Sequence, residues 1–461
     1  MQRVIRAALI AAALLAAPPL APARAAQPYA ERVREKTLPN GLKILLLEDH
    51  KAPVAVFQIW YRVGSRNEQV GKTGLSHMLE HLMFKGTHKV GPEEYSKIIQ
   101  RNGGNDNAFT ADDATTYFVQ LASDRLQVVV DLESDRMQNL SFDDAQFEPE
   151  HKVVMEERRL RTGNNPVASL FEQVNATAYT AHPYHWPTIG WMEDIQQLTR
   201  EDALAYYRTY YAPENAFIVC AGDFSADALL AEIDKSFAPV PLGDAPPAVR
   251  GIEPVQQGER RTVLRREAQL PFVAIAYHVP NLHSADGPAL EVLSAILSGG
   301  KSARLYQQLV YEKRLARDAG SSFELTSLDP GLFFVYAQPF PGKSAAQIEK
   351  ELLAQVERLQ QTPVAAQELT KAKNGLEAGF ILAQDSLFYQ ALLLGQYEVA
   401  GDWRLVDTYV PSIRAVTADD LMRVAAFYLT PSNRTIGTLD PLPGPPGRPA
   451  PPPMPPQGMV H

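Results

Sequence analysis

Apolar and polar residues along this chain recur with two periods. Runs at 42–47, 54–63 and 115–121 read as strands, with the turn between the first two over 48–53. Apolar residues at helical spacing predict helices over 92–100, 124–139 and 226–237, the last with Ser225 as its cap. A further helix is expected over 149–161, since Pro149 suits a first helical turn, where its missing N–H is not needed. Asn102, Gly103 and Gly104 mark a turn, and 219–222 reads as a strand closing the first half. Between 74 and 86 there is no proline, apolar residues fall at 75, 78, 79, 82 and 83, and Gly86 can end the helix.

The second half repeats this order. A strand is expected over 272–280, a helix over 288–297, and Gly299 and Gly300 follow. Sliding the first half by 214 residues sets Gly86 on Gly300, His77 on Glu291, Glu80 on Ser294 and His81 on Ala295. This is an internal duplication in which the chemistry of one copy is gone from the other. Two homologous halves are therefore expected, each with strands and helices in the same order. The halves span 26–240 and 263–440, a linker rich in Pro, Gly and Ala covers 241–262, and a Pro-rich tail over 441–461 reads as disordered. A chain of 461 residues exceeds one ordinary core, which agrees with two domains.

At the N-terminus Arg3 and Arg6 precede an apolar run over 7–17, and Ala23-Arg24-Ala25 offers small residues for cleavage. This is the pattern of a secretory signal peptide, removed after Ala25. Pro18 and Pro19 break the run before it is long enough to span a bilayer, so a membrane anchor is the weaker reading. A periplasmic or secreted protein is expected, with no internal disulfide because Cys220 is the only cysteine. Cys220 lies in an apolar run, where a buried structural thiol is expected rather than a nucleophile. A net charge of −9 leaves no electrostatic footprint for nucleic acid.

The helix over 74–86 carries the chemistry. An α-helix turns about 100° per residue, so His77 and His81 share a face one turn apart with Glu80 beside them. Two imidazoles at that spacing suit Zn²⁺, and a carboxylate that does not ligate can take a proton from a metal-bound water. His-x-x-Glu-His is the inverted form of the commoner zinc-protease motif. A third ligand from another helix would complete a catalytic shell. On the helix expected over 149–161, Glu157 follows Glu150 by seven positions, so the two share a face about 10 Å apart, while Glu156 points elsewhere. Spacing leaves the choice among the three open. His182 and His185 sit in a loop bounded by prolines, where packing is expected rather than ligation.

From about residue 38 to 439 the chain resembles the pitrilysin-type zinc peptidases, the family of insulin-degrading enzyme and the mitochondrial processing peptidase. The resemblance rests on Gly74-Leu75-Ser76-His77-Met78-Leu79-Glu80-His81-Leu82-Met83-Phe84-Lys85-Gly86-Thr87, Asn107-Ala108-Phe109-Thr110 and Val153-Val154-Met155-Glu156-Glu157-Arg158-Arg159. It implies Zn²⁺ on His77, His81 and Glu157, Glu80 as general base, and Glu150 as the outer partner that orients a ligand. It also implies an α+β fold of two homologous halves, each a β-sheet covered by α-helices, forming a clamshell, and a peptide or unfolded polypeptide bound as an added strand along Asn107, Ala108 and Phe109. The expected function is zinc endopeptidase, and the alternative is a non-catalytic assembly subunit. Active family members carry an arginine and a tyrosine seven residues apart in the second half, where this chain has Val310 and Arg317. The departure implies a dimer, either with itself or as the zinc-bearing subunit beside a relative that supplies the pair.

Overall fold

The structure, a computed structural model, describes residues 27–243 and 245–443. The expected signal peptide and the tail from 444 onward lie outside them. The first sheet contains β1 (Val33–Thr37), β2 (Lys43–Glu48), β3 (Val54–Tyr61), β4 (Asn105–Thr110), β5 (Thr115–Ala122) and β6 (Ala216–Gly222), in the order β1-β2-β6-β3-β5-β4. The second contains β7 (Arg260–Glu267), β8 (Phe272–Val279), β9 (Ala316–Ser322), β10 (Gly331–Pro339) and β11 (Arg434–Leu442), in the order β7-β11-β8-β10-β9. In each sheet one pair is parallel, β2 with β6 and β7 with β11, and the other pairs are antiparallel. Setting β1 aside, the two sheets have the same strand order and directions. The helices Leu75–Leu82 and Gly287–Ser298 occupy corresponding places, close to the 214-residue offset of the sequence.

Strand β3 is buried along nearly its whole length and β6 along all of it, so both faces of the first sheet are covered and their sequences run apolar without alternation. One face, with Phe57, Ile59 and Tyr61, packs on the motif helix through Leu75, Met78 and Leu79. The other face is covered by the second half. Helix Leu387–Ala400 lays Ala391 and Leu394 against Val56, Trp60, Phe217 and Val219. Helix Pro166–Ala178 of the first half does the converse, with Leu170 and Val174 on Phe272, Ala274, Ala276 and Leu439. Each half thus lends a helix to the other's sheet, which clasps the two together. The crossing is close: a Cβ on Gly395 would lie 2.2 Å from the Trp60 ring, so only glycine fits there.

Several boundaries differ from the sequence reading. The helix expected from Pro149 begins at Asp144, because Asp143 and Gln146 cap it reciprocally (Gln146 N to Asp143 Oδ1 3.1 Å, Asp143 N to Gln146 Oε1 2.9 Å). Pro149 sits inside, at the cost of one backbone hydrogen bond. The α-helix ends at Arg158, and a single π-helical stretch, Arg159–Gly163, follows. Strand β7 begins at Arg260, inside the expected linker, and β11 runs to Leu442, into the expected tail. From Glu253 onward the linker is held rather than loose. The Glu253 carboxylate accepts the N–H groups of Thr180, Ala181 and His182 at 2.8–3.1 Å, and Gln256 Nε2 donates to the Arg434 carbonyl at 2.7 Å.

Candidate metal centre

The motif helix, Leu75–Leu82, is pinned at its start. The Glu68 carboxylate accepts the N–H groups of Gly74 and Ser76, both at 2.7 Å, and so satisfies donors that a helix N-terminus leaves free. Ser76 Oγ also lies 2.8 Å from Tyr206 Oη. With the helix fixed, His77 and His81 point at the helix Asp144–Arg158, whose Glu157 meets both. Glu157 Oε2 is 3.6 Å from His77 Nε2 and 3.3 Å from His81 Nε2.

Those distances test whether zinc fits. Ligand bonds of about 2.0–2.1 Å in tetrahedral array put ligand atoms about 3.3–3.4 Å apart. Glu157 Oε2 stands near that spacing from both imidazole nitrogens, and one ligand atom from each of the three residues lies within 4.8 Å of the others. His81 Nδ1 is engaged by Glu150 Oε1 at 2.8 Å, which leaves Nε2 free for a metal, and Lys85 Nζ holds the other Glu150 oxygen at 2.5 Å. The donor set, two imidazoles and one carboxylate, is that of a catalytic zinc site.

The electrostatics follow from the same contacts. Burial, with His81 beside it, pushes the His77 imidazole down to about 3, so it stays neutral. Burial also acts against a charge on His81, but the Glu150 and Glu157 carboxylates hold it at about 9. The bond to His81 keeps Glu157 ionised, down to about 2. Burial raises the Glu80 carboxyl above its ordinary value, while a hydrogen bond from Thr110 Oγ1 at 2.6 Å works the other way.

The structure thus brings together His77, His81, Glu157, Glu150 and Glu80. Glu156 is turned away and pairs with Arg159 at 3.0 Å. Asn107, Ala108 and Phe109 lie on β4, an edge strand paired only with β5 among the described residues. Asn107 is exposed, Ala108 packs toward the first core, and Phe109 sits edge-on to Trp60 at 5.7 Å. Val310 packs half-buried on the core of the second half, while Arg317 and Tyr311 are exposed near the start of β9. His182 and His185 take no part: His182 Nε2 pairs with Asp329 Oδ2 at 3.0 Å, and His185 Nδ1 with the His182 carbonyl at 2.9 Å. Cys220 is fully buried in β6. Sequence reasoning gave no role to Thr110, Lys85 or Glu68. Thr110 stood in the stretch already singled out, and Lys85 follows His81 by four residues; Glu68 had no signal.

Residues 43–190 match the family described as Insulinase (Peptidase family M16), and residues 197–376 match the family described as Peptidase M16 inactive domain. The zinc protease PqqE of Helicobacter pylori is 36% identical over 420 residues, covering 90% of this chain and 94% of that protein. An uncharacterized zinc protease of Mycobacterium tuberculosis is 30% identical over 405 residues, covering 86% of this chain and 91% of that protein. A crystal structure of a protease from Helicobacter pylori superposes with a TM-score of 0.86 at 36% identity, covering 89% of this chain and 99% of that one. The periplasmic protease PqqL of Escherichia coli has the same fold, at TM-score 0.75 and 17% identity, and the match covers 90% of this chain but 48% of PqqL. The chain belongs to peptidase family M16, whose members similar to it are named zinc proteases. No helix among the described residues is long and apolar enough to cross a membrane.

Proposed function

We propose that this chain is an exported, periplasmic zinc endopeptidase that hydrolyses peptides or unfolded polypeptides. The observation that carries the reading is the convergence of His77, His81 and Glu157, whose ligand atoms lie within 4.8 Å of one another, with Glu80 beside them. His77, His81 and Glu157 hold the metal. A bound zinc supplies Lewis acidity, lowering the pKa of a water and polarising the scissile carbonyl. Glu80 takes the proton of the attacking water and returns it to the leaving amine. Thr110 orients that carboxyl. Glu150, backed by Lys85, fixes the His81 ring and its tautomer.

The free edge of β4 pairs with the substrate backbone along Asn107, Ala108 and Phe109, which accepts many sequences. Export rests on the N-terminal sequence pattern, and the periplasmic name of PqqL agrees with it. The chain acts as the zinc-bearing unit of a dimer. Val310 and Arg317 stand where the family resemblance implies an arginine and a tyrosine, and PqqL, about half of which matches this chain, has room for a second such unit.

The test is hydrolysis of a mixed set of quenched fluorescent peptides by the zinc-loaded mature chain and by Glu80→Gln. Turnover that disappears in the variant, with zinc retained, is expected. Equal turnover in both would sink the reading. Silence from both with zinc bound would favour the assembly-subunit alternative, unless activity appears when a relative carrying the arginine and tyrosine is added. Sedimentation of the chain alone and of the mixture separates homodimer from heterodimer.

A further inference from the structure

We propose that Asp113 is a positioning residue through which the second half of the chain holds the catalytic base of the first; this rests on the peptidase reading above. Thr110, which donates to Glu80, is the last residue of β4, and the turn that follows carries Asp112 and Asp113. That turn is built to one shape. The Ala111 N–H donates to the Ala114 carbonyl at 2.8 Å, and the Ser65 and Arg66 N–H groups donate to the carbonyls of Ala111 and Asp112 at 3.2 and 3.0 Å. Asp112 Oδ1 accepts from Ser65 Oγ and Thr188 Oγ1, both at 2.8 Å. A Cβ on Gly64 would fall 2.2 Å from the Ala111 carbonyl oxygen, so the backbones touch directly.

Asp113 extends this turn into the other half. Its carboxylate accepts the Tyr184 hydroxyl at 2.7 and 2.8 Å and the Leu328 N–H at 2.9 Å, with Arg66 Nε 3.3 Å away. Leu328 belongs to the loop before β10. Asp329, next in that loop, donates its N–H to Tyr184 Oη at 3.1 Å and pairs through its carboxylate with Arg66 and with His182 at 3.0 Å. The loop is tied down in turn by Asn281, whose Nδ2 donates to the Ser327 and Leu328 carbonyls at 2.7 and 3.0 Å. An acidic side chain in so shielded a place needs its partners, because a buried carboxylate left unpaired is expensive. The second half thus holds Asp113 by a hydrogen bond from Leu328, the backbone of the turn joins Asp113 to Thr110, and Thr110 holds Glu80. The half without metal chemistry has a task in the reaction: it keeps the β4 turn, and so the base, in place.

The test compares parent, Asp113→Asn, Thr110→Val and the double variant, all zinc-loaded. The readouts are kcat and KM on the quenched peptides, zinc content, and amide deuterium exchange over residues 105–114. Asp113→Asn is expected to lower kcat about tenfold, the rate equivalent of one hydrogen bond, with KM within about twofold and zinc content unchanged. Exchange should quicken over 105–114 and not in the second sheet. The double variant should be no slower than Thr110→Val, because both changes act through one bond to Glu80. Parent-like kcat in Asp113→Asn, multiplicative losses in the double variant, or exchange that quickens evenly over the chain would each overturn the proposal. Should Asp113→Asn not fold, Tyr184→Phe removes one hydroxyl from the same clasp and is read the same way. A parent that hydrolyses nothing, alone or with a relative carrying the arginine and tyrosine added, would refute the peptidase reading, and the exchange over 105–114 would still decide whether the clasp holds the turn.

Discussion

Replacing Glu150 by glutamine tests how the metal centre is built. Glu150 does not reach the point where His77, His81 and Glu157 meet; it holds His81 Nδ1 at 2.8 Å and Lys85 Nζ at 2.5 Å. The His81 and Lys85 side chains are only 20% and 17% exposed, so water replaces the lost carboxylate poorly. Glutamine keeps one carbonyl for the imidazole N–H but removes the charge that makes His81 a more basic ligand and balances Lys85. Loss of such an outer partner lowers metal affinity about 10–100-fold, or about 1.4–2.7 kcal/mol. The upper part of that range is expected here, because two partners lose their carboxylate together. Zinc competition against a chromophoric chelator gives the affinity, with Glu156→Gln and Glu157→Gln measured alongside. The expected order is parent and Glu156→Gln equal, Glu150→Gln weaker, and Glu157→Gln weakest, since only the last turns a ligating carboxylate into a neutral, weakly ligating amide. Parent-like affinity in Glu150→Gln, or weaker binding in Glu156→Gln than in Glu150→Gln, would refute this account of the glutamates.

Other outcomes follow from the packing and the charges. Gly395→Ala gains helix propensity of about 1 kcal/mol but drives a methyl into Trp60, and overpacking costs about 1–3 kcal/mol. A net loss of stability in urea unfolding is expected, and an unchanged midpoint would show that the exchanged helix can shift aside. Glu291, standing where His77 stands in the other half, is pushed up to about 7 by burial, against the hydrogen bond from Tyr409 Oη at 3.4 Å. A carboxyl raised in the folded state favours folding in acid, and that contribution is lost as pH climbs from the unfolded value near 4.5 through 7. Glu291→Gln should therefore match the parent near pH 4 and exceed it above pH 7, by at most about 3.5 kcal/mol at about 1.4 kcal/mol per pH unit. A difference that does not change with pH would contradict this assignment.

The sequence alone determined what lies within one helix or one repeat. His77, Glu80 and His81 fall on one helical face because the α-helix fixes angles between near neighbours. The duplication was legible because strand, helix and glycine recur in order, and the two sheets have matching strand order. The Pro149 boundary was misread because a proline suits a first turn, whereas Asp143 and Gln146 supply a stronger start. Only tertiary structure decided which elements meet. Periodicity put Glu150 and Glu157 on one face but could not say that this face turns inward; the packing of helix Asp144–Arg158 on the motif helix did that, and sent Glu156 to solvent. The exchanged helices and the Asp113 clasp join residues far apart in the chain, such as Trp60 with Gly395 and Asp113 with Leu328. Local patterns carry a residue's position within its own element, but not the orientation of one element against another, which is set by the packing of all of them together.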